Sequence, residues 1–193
     1  MQLGEGKMAK EKLSEDILKS ADELLEKEWK EGREAYYIAK RLARLAGFTG
    51  KEEHFQKAIV LLRQVNESKG WRDEIISSMA ISYARTGDHA TAWEWSNKLY
   101  FGDIKDKTRL AIIDLLLENG RMEIAEKLLE NFEGPYLYLK GLLKVGASTG
   151  RIKHFQKAYD FALSTASPAF DRIEALLDIE EALKKAMIRN KNT

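Results

Sequence analysis

The 193-residue chain contains no cysteine. That excludes disulfides, thiolate nucleophiles and the common cysteine-ligated zinc sites together, and a reducing cytoplasm is the compartment such a chain fits. Net charge is missing too: 32 Lys and Arg stand against 31 Asp and Glu, leaving +1. This argues against a global electrostatic footprint for nucleic acid or an anionic membrane, although local patches remain open. No apolar run approaches the roughly 20 residues of a membrane span, and the opening MQLGEGKMAKEK holds no signal-peptide core. A soluble, cytoplasmic protein is expected, in which the sequon Asn66-Glu67-Ser68 has no role. Only two prolines occur, Pro135 and Pro168, and both fall at breaks between helical patterns.

Hydrophobic residues make up 44% of the chain, enough at this length for a substantial core. Abundant Lys and Glu with only four glutamines resemble thermophilic usage, in which exposed faces carry ion-pair networks. Apolar spacing is helical almost throughout, as in Ile75, Ile76, Met79, Ala80 and Tyr83, or Leu110, Ile113, Leu116 and Leu117. Breaks near Gly32, Gly47–Gly50, Lys69–Gly70, Gly87, Gly102, Gly120, Gly134–Pro135, Gly150 and Ser167–Pro168 predict about ten helices. Thr49 and Glu52 fit a capping box at the start of the third.

The pentapeptide HFQKA occurs at His54–Ala58 and again at His154–Ala158, 100 residues apart. Ala58, Ala92, Ala125 and Ala158 divide that interval into steps of 34, 33 and 33, and ten residues after each stands a turn residue: Ser68, Gly102, Pro135 and Pro168. Two markers in one register predict four helical hairpins. A small residue lets antiparallel helices approach closely where they cross. Twelve positions earlier, Ala46, Ala80 and Gly146 fit the same logic on the partner helix, and Ile113 departs from it.

The second unit, WRDEIISSMAISYARTGDHATAWEWSNKL, resembles a tetratricopeptide repeat (TPR): Ile76, Met79, Ala80 and Tyr83 take the signature spacing, Gly87-Asp88 the turn and Ala92 the second helix. Ile76 in place of the aromatic and Ser96 in place of a large residue depart from that pattern. The resemblance implies an all-α fold, a right-handed α-α superhelix of about four TPR-like hairpins, with a HEAT-type or irregular α-solenoid as the alternatives. Units are expected at 33–68, 71–101, 103–133 and 135–167 within a single domain over 13–190, behind a disordered leader at 1–12. Capping helices are expected at 14–31, with Leu13, Ile17, Leu18, Ala21, Leu24, Leu25 and Trp29 on one stripe, and at 168–189. The second cap offers Ile173, Leu176, Leu177, Leu183 and Met187. Ile179 and Ile188 lie off that stripe, where they suit contact with a second copy of the chain.

No catalytic set emerges. His54 and His154 hold equivalent repeat positions, which favours a shared structural role, and His89 opens another helix; no H-E-x-x-H spacing accompanies them. GEGK at Gly4–Lys7 lacks the leading glycine of a phosphate loop and has Met8 where a hydroxyl is required. No enzyme activity, cofactor or metal is expected.

Arg33, Tyr37, Lys40 and Arg44, with Arg41 beside them, lie on one helix face. The TPR resemblance implies that Lys40 and Arg44 point into a concave groove, continued by Glu74, Ser77, Ser78, Arg85, Lys107, Asp114, Lys140 and Lys144. Cations dominate the set, so an acidic peptide or protein segment is the expected partner. In AWEWSNKLYFG, Trp95 and Leu99 read as core, and Trp93 and Tyr100 share a different side. The expected function is a non-catalytic adaptor or scaffold. The alternative is nucleic-acid binding through the Arg33–Arg44 stripe and the tail Lys184, Lys185, Arg189 and Lys191.

Overall fold

Glycines in the left-handed region, Gly32, Gly50, Gly87, Gly120 and Gly150 with φ between 66° and 92°, end five of the helices, where a side chain would strain the backbone. A computed structural model of the protein describes residues 2–65, 69–132, 134–165 and 170–191. Among these residues the chain is all-helical: α1 (Gln2–Lys30), α2 (Ala35–Thr49), α3 (Glu52–Leu62), α4 (Lys69–Arg85), α5 (His89–Asn97), α6 (Gly102–Glu118), α7 (Met122–Leu128) with a 3-10 turn (Leu129–Asn131), α8 (Pro135–Thr149), α9 (Ile152–Ser164) and α10 (Arg172–Lys191).

The chain divides into two compact units, Met1–Tyr100 and Phe101–Thr193, where a single domain is expected from sequence. In the first, α2 packs on α1, α3 and α4, and α4 carries α5. In the second, α8 packs on α6, α7, α9 and α10, and α6 carries α7. The four alanines that set the repeat are fully buried, as are Ala46, Ala80 and Ile113 on the first helices of their hairpins. Gly146 lies beneath α9, where an added Cβ would meet the Phe155 ring at 3.1 Å. Gly47 makes an equally close approach inside the first unit, its missing Cβ 2.9 Å from the Ser82 Cα of α4.

Several local expectations are corrected. Helix α1 begins at Gln2 and so runs through the stretch read as a disordered leader. The Lys69–Gly70 break is the first turn of α4. No capping box forms at α3: its N-cap is Lys51, and Thr49 ends α2 with its hydroxyl donating to the Leu45 carbonyl at 3.0 Å. Of the turn residues, Gly102 and Pro135 open α6 and α8, and Ser68 and Pro168 lie outside the described residues. On α10 the core positions are Ala175, Ile179 and Ala186, whereas Ile173, Leu177 and Met187 of the expected stripe are exposed. Two apolar stripes share that helix, and the one containing Ile179 is the more buried. Leu99 is buried as expected, but Trp95 is half-buried under the Lys98 ammonium, 3.8 Å from its ring. Trp93 is half-buried, and Tyr100, beyond the end of α5, is exposed with the Lys69 ammonium 3.7 Å from its ring.

Candidate interaction surfaces

The HFQKA segments dock onto carboxylates. His54, 1% exposed, places Nε2 3.0 Å from Asp22 Oδ1 on α1, and Lys51 joins the same carboxylate at 3.2 Å. In the second copy His154 Nε2 lies 3.1 Å from Glu126 Oε1 on α7, with Lys153 at 2.8 Å and Arg151 also donating to Glu126. The shared role is structural: each segment ties its hairpin to the helix before it. Burial pushes the Asp22 carboxyl up, but hydrogen bonds from Lys51 and His54 outweigh it and hold the group below its ordinary value.

Asp22, Glu53 and His54 bring one ligand atom each within 4.8 Å of one another. Lys51 already places its ammonium on Asp22 and 4.0 Å from Glu53, so a lysine holds the position a cation would take.

The second copy is pH-sensitive. The Lys153 hydrogen bond, with help from His154, lowers the Glu126 pKa to about 2, and burial pushes His154 below its usual 6.5. A depressed histidine pKa contributes stability above pH 6.5 that is lost on acidification. A depressed glutamate pKa contributes stability above 4.5 that is lost as pH falls towards 2. Both run the same way. The Glu126 carboxylate is one-fifth exposed, so water screens part of its shift. Glu126→Gln is expected to cost on the order of 2 kcal/mol at pH 7. In urea unfolding, the gap between variant and wild type should narrow as pH drops from 4.5 towards 2; a gap that does not change with pH contradicts the assignment.

A second pair of ties escapes a reading of sequence alone. Asp73 on α4 is 2% exposed and accepts from the Tyr100 N–H at 3.0 Å; Asp106 on α6, 1% exposed, accepts from the Gly134 N–H. Each buried carboxylate fastens the start of a hairpin's first helix to the chain leaving its second. Nearby, Arg72 donates to the Leu62 and Val65 carbonyls at 3.3 and 3.4 Å, and Arg172 to the Thr165 carbonyl at 2.9 Å, which are again positions 100 apart. The signal was the 33-residue step from Asp73 to Asp106, hidden among the many other acids.

Most of the expected groove residues are engaged within the chain. Arg33 and Arg41 both pair with Glu28. Lys40 bridges Glu74 and the Tyr36 hydroxyl, and Tyr36 also donates to Glu74; hydrogen bonding raises the Lys40 pKa and lowers that of Glu74. Ser78 donates to the Glu74 carbonyl at 2.9 Å, and Ser77 is half-buried. In the second unit Lys144 pairs with Asp114 at 2.7 Å, Lys107 with Asp103 at 3.5 Å, and Lys140 covers the Tyr136 ring at 4.5 Å. Arg44 is exposed and has no ion-pair partner among the described residues. Beside it Tyr37 is 44% exposed, and Phe48, 57% exposed, lies 4.4 Å under the Arg85 guanidinium.

Two grooves adjoin α1. The larger, about 1040 Å³, is lined by charges already matched, Asp22 with Lys51 and Glu26 with Lys57. The smaller, about 430 Å³, has apolar walls from α1 and α2, with Arg41 and Arg44 on the α2 side. Among the described residues, no helix is long and apolar enough to cross a membrane. No family model matches the chain, and no curated protein or solved structure is significantly similar to it.

Proposed function

We propose that the hairpins are TPR-like repeats stacked as a right-handed superhelix, and that the protein is a non-catalytic cytoplasmic adaptor holding a protein segment on its first helices. The observation that carries this reading is the exposed set Tyr37, Arg44, Phe48 and Arg85 on α2 and α4. Aromatic and arginine side chains anchor interfaces well, and here two of them are presented already stacked. An acidic segment suits the two guanidinium groups.

The buried histidines and aspartates support the same reading, because they are spent on joining helices. The nucleic-acid alternative draws less support: Arg33, Lys40 and Arg41 of the basic stripe are held by Glu28 and Glu74, and Lys184 and Lys185 by Glu180 and Glu181. Arg189 and Lys191 have side chains outside those described.

Capture from the source cell's extract with wild type and a Tyr37→Ala/Arg44→Glu variant tests the proposal. Loss of two anchors should weaken a specific partner by about 30-fold or more. Lys40 is left intact so that its bond to Glu74 survives. Retention of every captured protein by the variant overturns the reading.

A further inference from the structure

The two units are one alternation of helices begun at different points. A shift of 100 residues carries α2, α3 and α4 onto α8, α9 and α10, and α1 stands against α2 as α7 stands against α8. The second unit has one helix more at this end: α6 packs on both α7 and α8. The corresponding place on α1 and α2 is the open groove of about 430 Å³, walled by Leu18, Ala21, Leu24 and Leu25 of α1 and by Arg44 and Phe48 of α2.

Helix α1 has the pattern of a hairpin's second helix, and among the described residues no first helix packs on it as α6 packs on α7. Ile17, Leu18, Ala21, Leu24 and Leu25 sit 37 positions before the five residues from His54 to Leu62 that are at most 6% exposed in α3. In α1, Ile17 and Leu24 are 58% and 61% exposed. Helix α10 is the converse: it packs on α8 and α9 as a first helix does and leaves a second apolar stripe exposed. Ile173 and Met187, 73% and 56% exposed, extend a stripe through half-buried Leu176 and Leu183.

Charge completes the match. Lys144, which corresponds to Arg44, is held by Asp114 of α6. A step of 67 positions carries Thr108 and Ile112, buried in α6, onto Ala175 and Ile179, buried in α10, and carries Asp114 onto Glu181. The last helix therefore carries a carboxylate, Glu181, at the position where Arg44 lacks one, and its exposed pair with Lys185 on the same helix gives way on docking.

We propose that copies of the chain associate head to tail, α10 of one copy seated in the α1–α2 groove of the next, completing there the hairpin that α6 completes on α7. Glu180 stands where α2 and α4 have alanine. Ile113, buried at that position in α6, shows that a larger residue fits, and the charge on Glu180 keeps the junction weaker than an internal hairpin. The contact joins two different surfaces, so it propagates. It goes beyond the adaptor reading, with which it shares Arg44 and Phe48, whereas Tyr37 and Arg85 do not line this groove.

Sedimentation equilibrium of the full chain tests it. Wild type should rise above the 22.1 kDa chain mass as concentration increases from about 10 μM to 1 mM. Leu24→Glu alone, and Ile173→Lys/Met187→Lys alone, should remain monomeric, and their equimolar mixture should form a dimer and stop. Arg44→Glu and Glu181→Arg should each weaken association several-fold, and the double variant should regain it. That charge swap keeps the test decisive if an apolar-face variant unfolds. Monomeric wild type across the range overturns the proposal, as does a monomeric mixture or a singly blocked variant that still pairs with itself through α1 or α10.

Discussion

Replacing Asp106 by alanine is expected to lower folding stability by about 3–5 kcal/mol. The carboxylate is 1% exposed, accepts the Gly134 N–H and stands 3.9 Å from the Arg109 guanidinium, itself only 5% exposed. Arg109 in turn donates to the Asn131 carbonyl, so one buried pair holds both ends of the turn between the 3-10 segment and α8. Alanine takes the opposing charge from a guanidinium that water cannot reach and the acceptor from a backbone donor. Asparagine keeps an acceptor for Gly134 but also leaves Arg109 without its counter-charge, so Asp106→Asn should cost about 2–3 kcal/mol. Asp73 makes the corresponding tie to Tyr100, and Asp73→Ala should fall between the two. Urea unfolding followed by circular dichroism gives the order. Asp106→Ala within about 1 kcal/mol of wild type would mean that the tie contributes little.

The helices were legible because glycine breaks and 3.6-residue apolar spacing coincide, and the alanine register because burial demands a small side chain at one place in each second helix. The buried ties that close the hairpins were not. Asp73 and Asp106 look like ordinary acids on solvated helices, and only the backbone leaving each hairpin's second helix, folded back beside them, shows otherwise. The pairing of the groove cations was hidden for the same reason: Lys40 meets Glu74 34 residues away, and Lys144 meets Asp114 30 away, which no spacing within one helix reports. On α10 the stripe through Ile173, Leu176, Leu183 and Met187 is as regular as the buried one. Amphipathicity alone does not say which of two faces the chain itself covers.

Ala58→Leu should cost about 2–3 kcal/mol, and Ala158→Leu at least as much. Both alanines have no exposed surface, and each lies on the second helix of a hairpin whose first helix carries Ala46 or Gly146. Around Ala58, Phe55 stacks on Tyr83 of α4 with centroids 4.0 Å apart, and Leu61 and Leu62 are buried, so α3 cannot slide to make room for a larger side chain without breaking contacts with α2 and α4 together. Around Ala158 the fit is tighter, because Gly146 brings α8 to the Phe155 ring at a distance where even a methyl group would press on it. Val60, on α3 but 50% exposed, is the control: Val60→Leu should stay within about 0.5 kcal/mol of wild type. The larger penalty at Ala158 separates helix crossing from general crowding, since crowding alone would penalise the two copies of HFQKA alike. Leucine accepted at both sites with no loss would mean that the 100-residue interval does not measure helix approach at all.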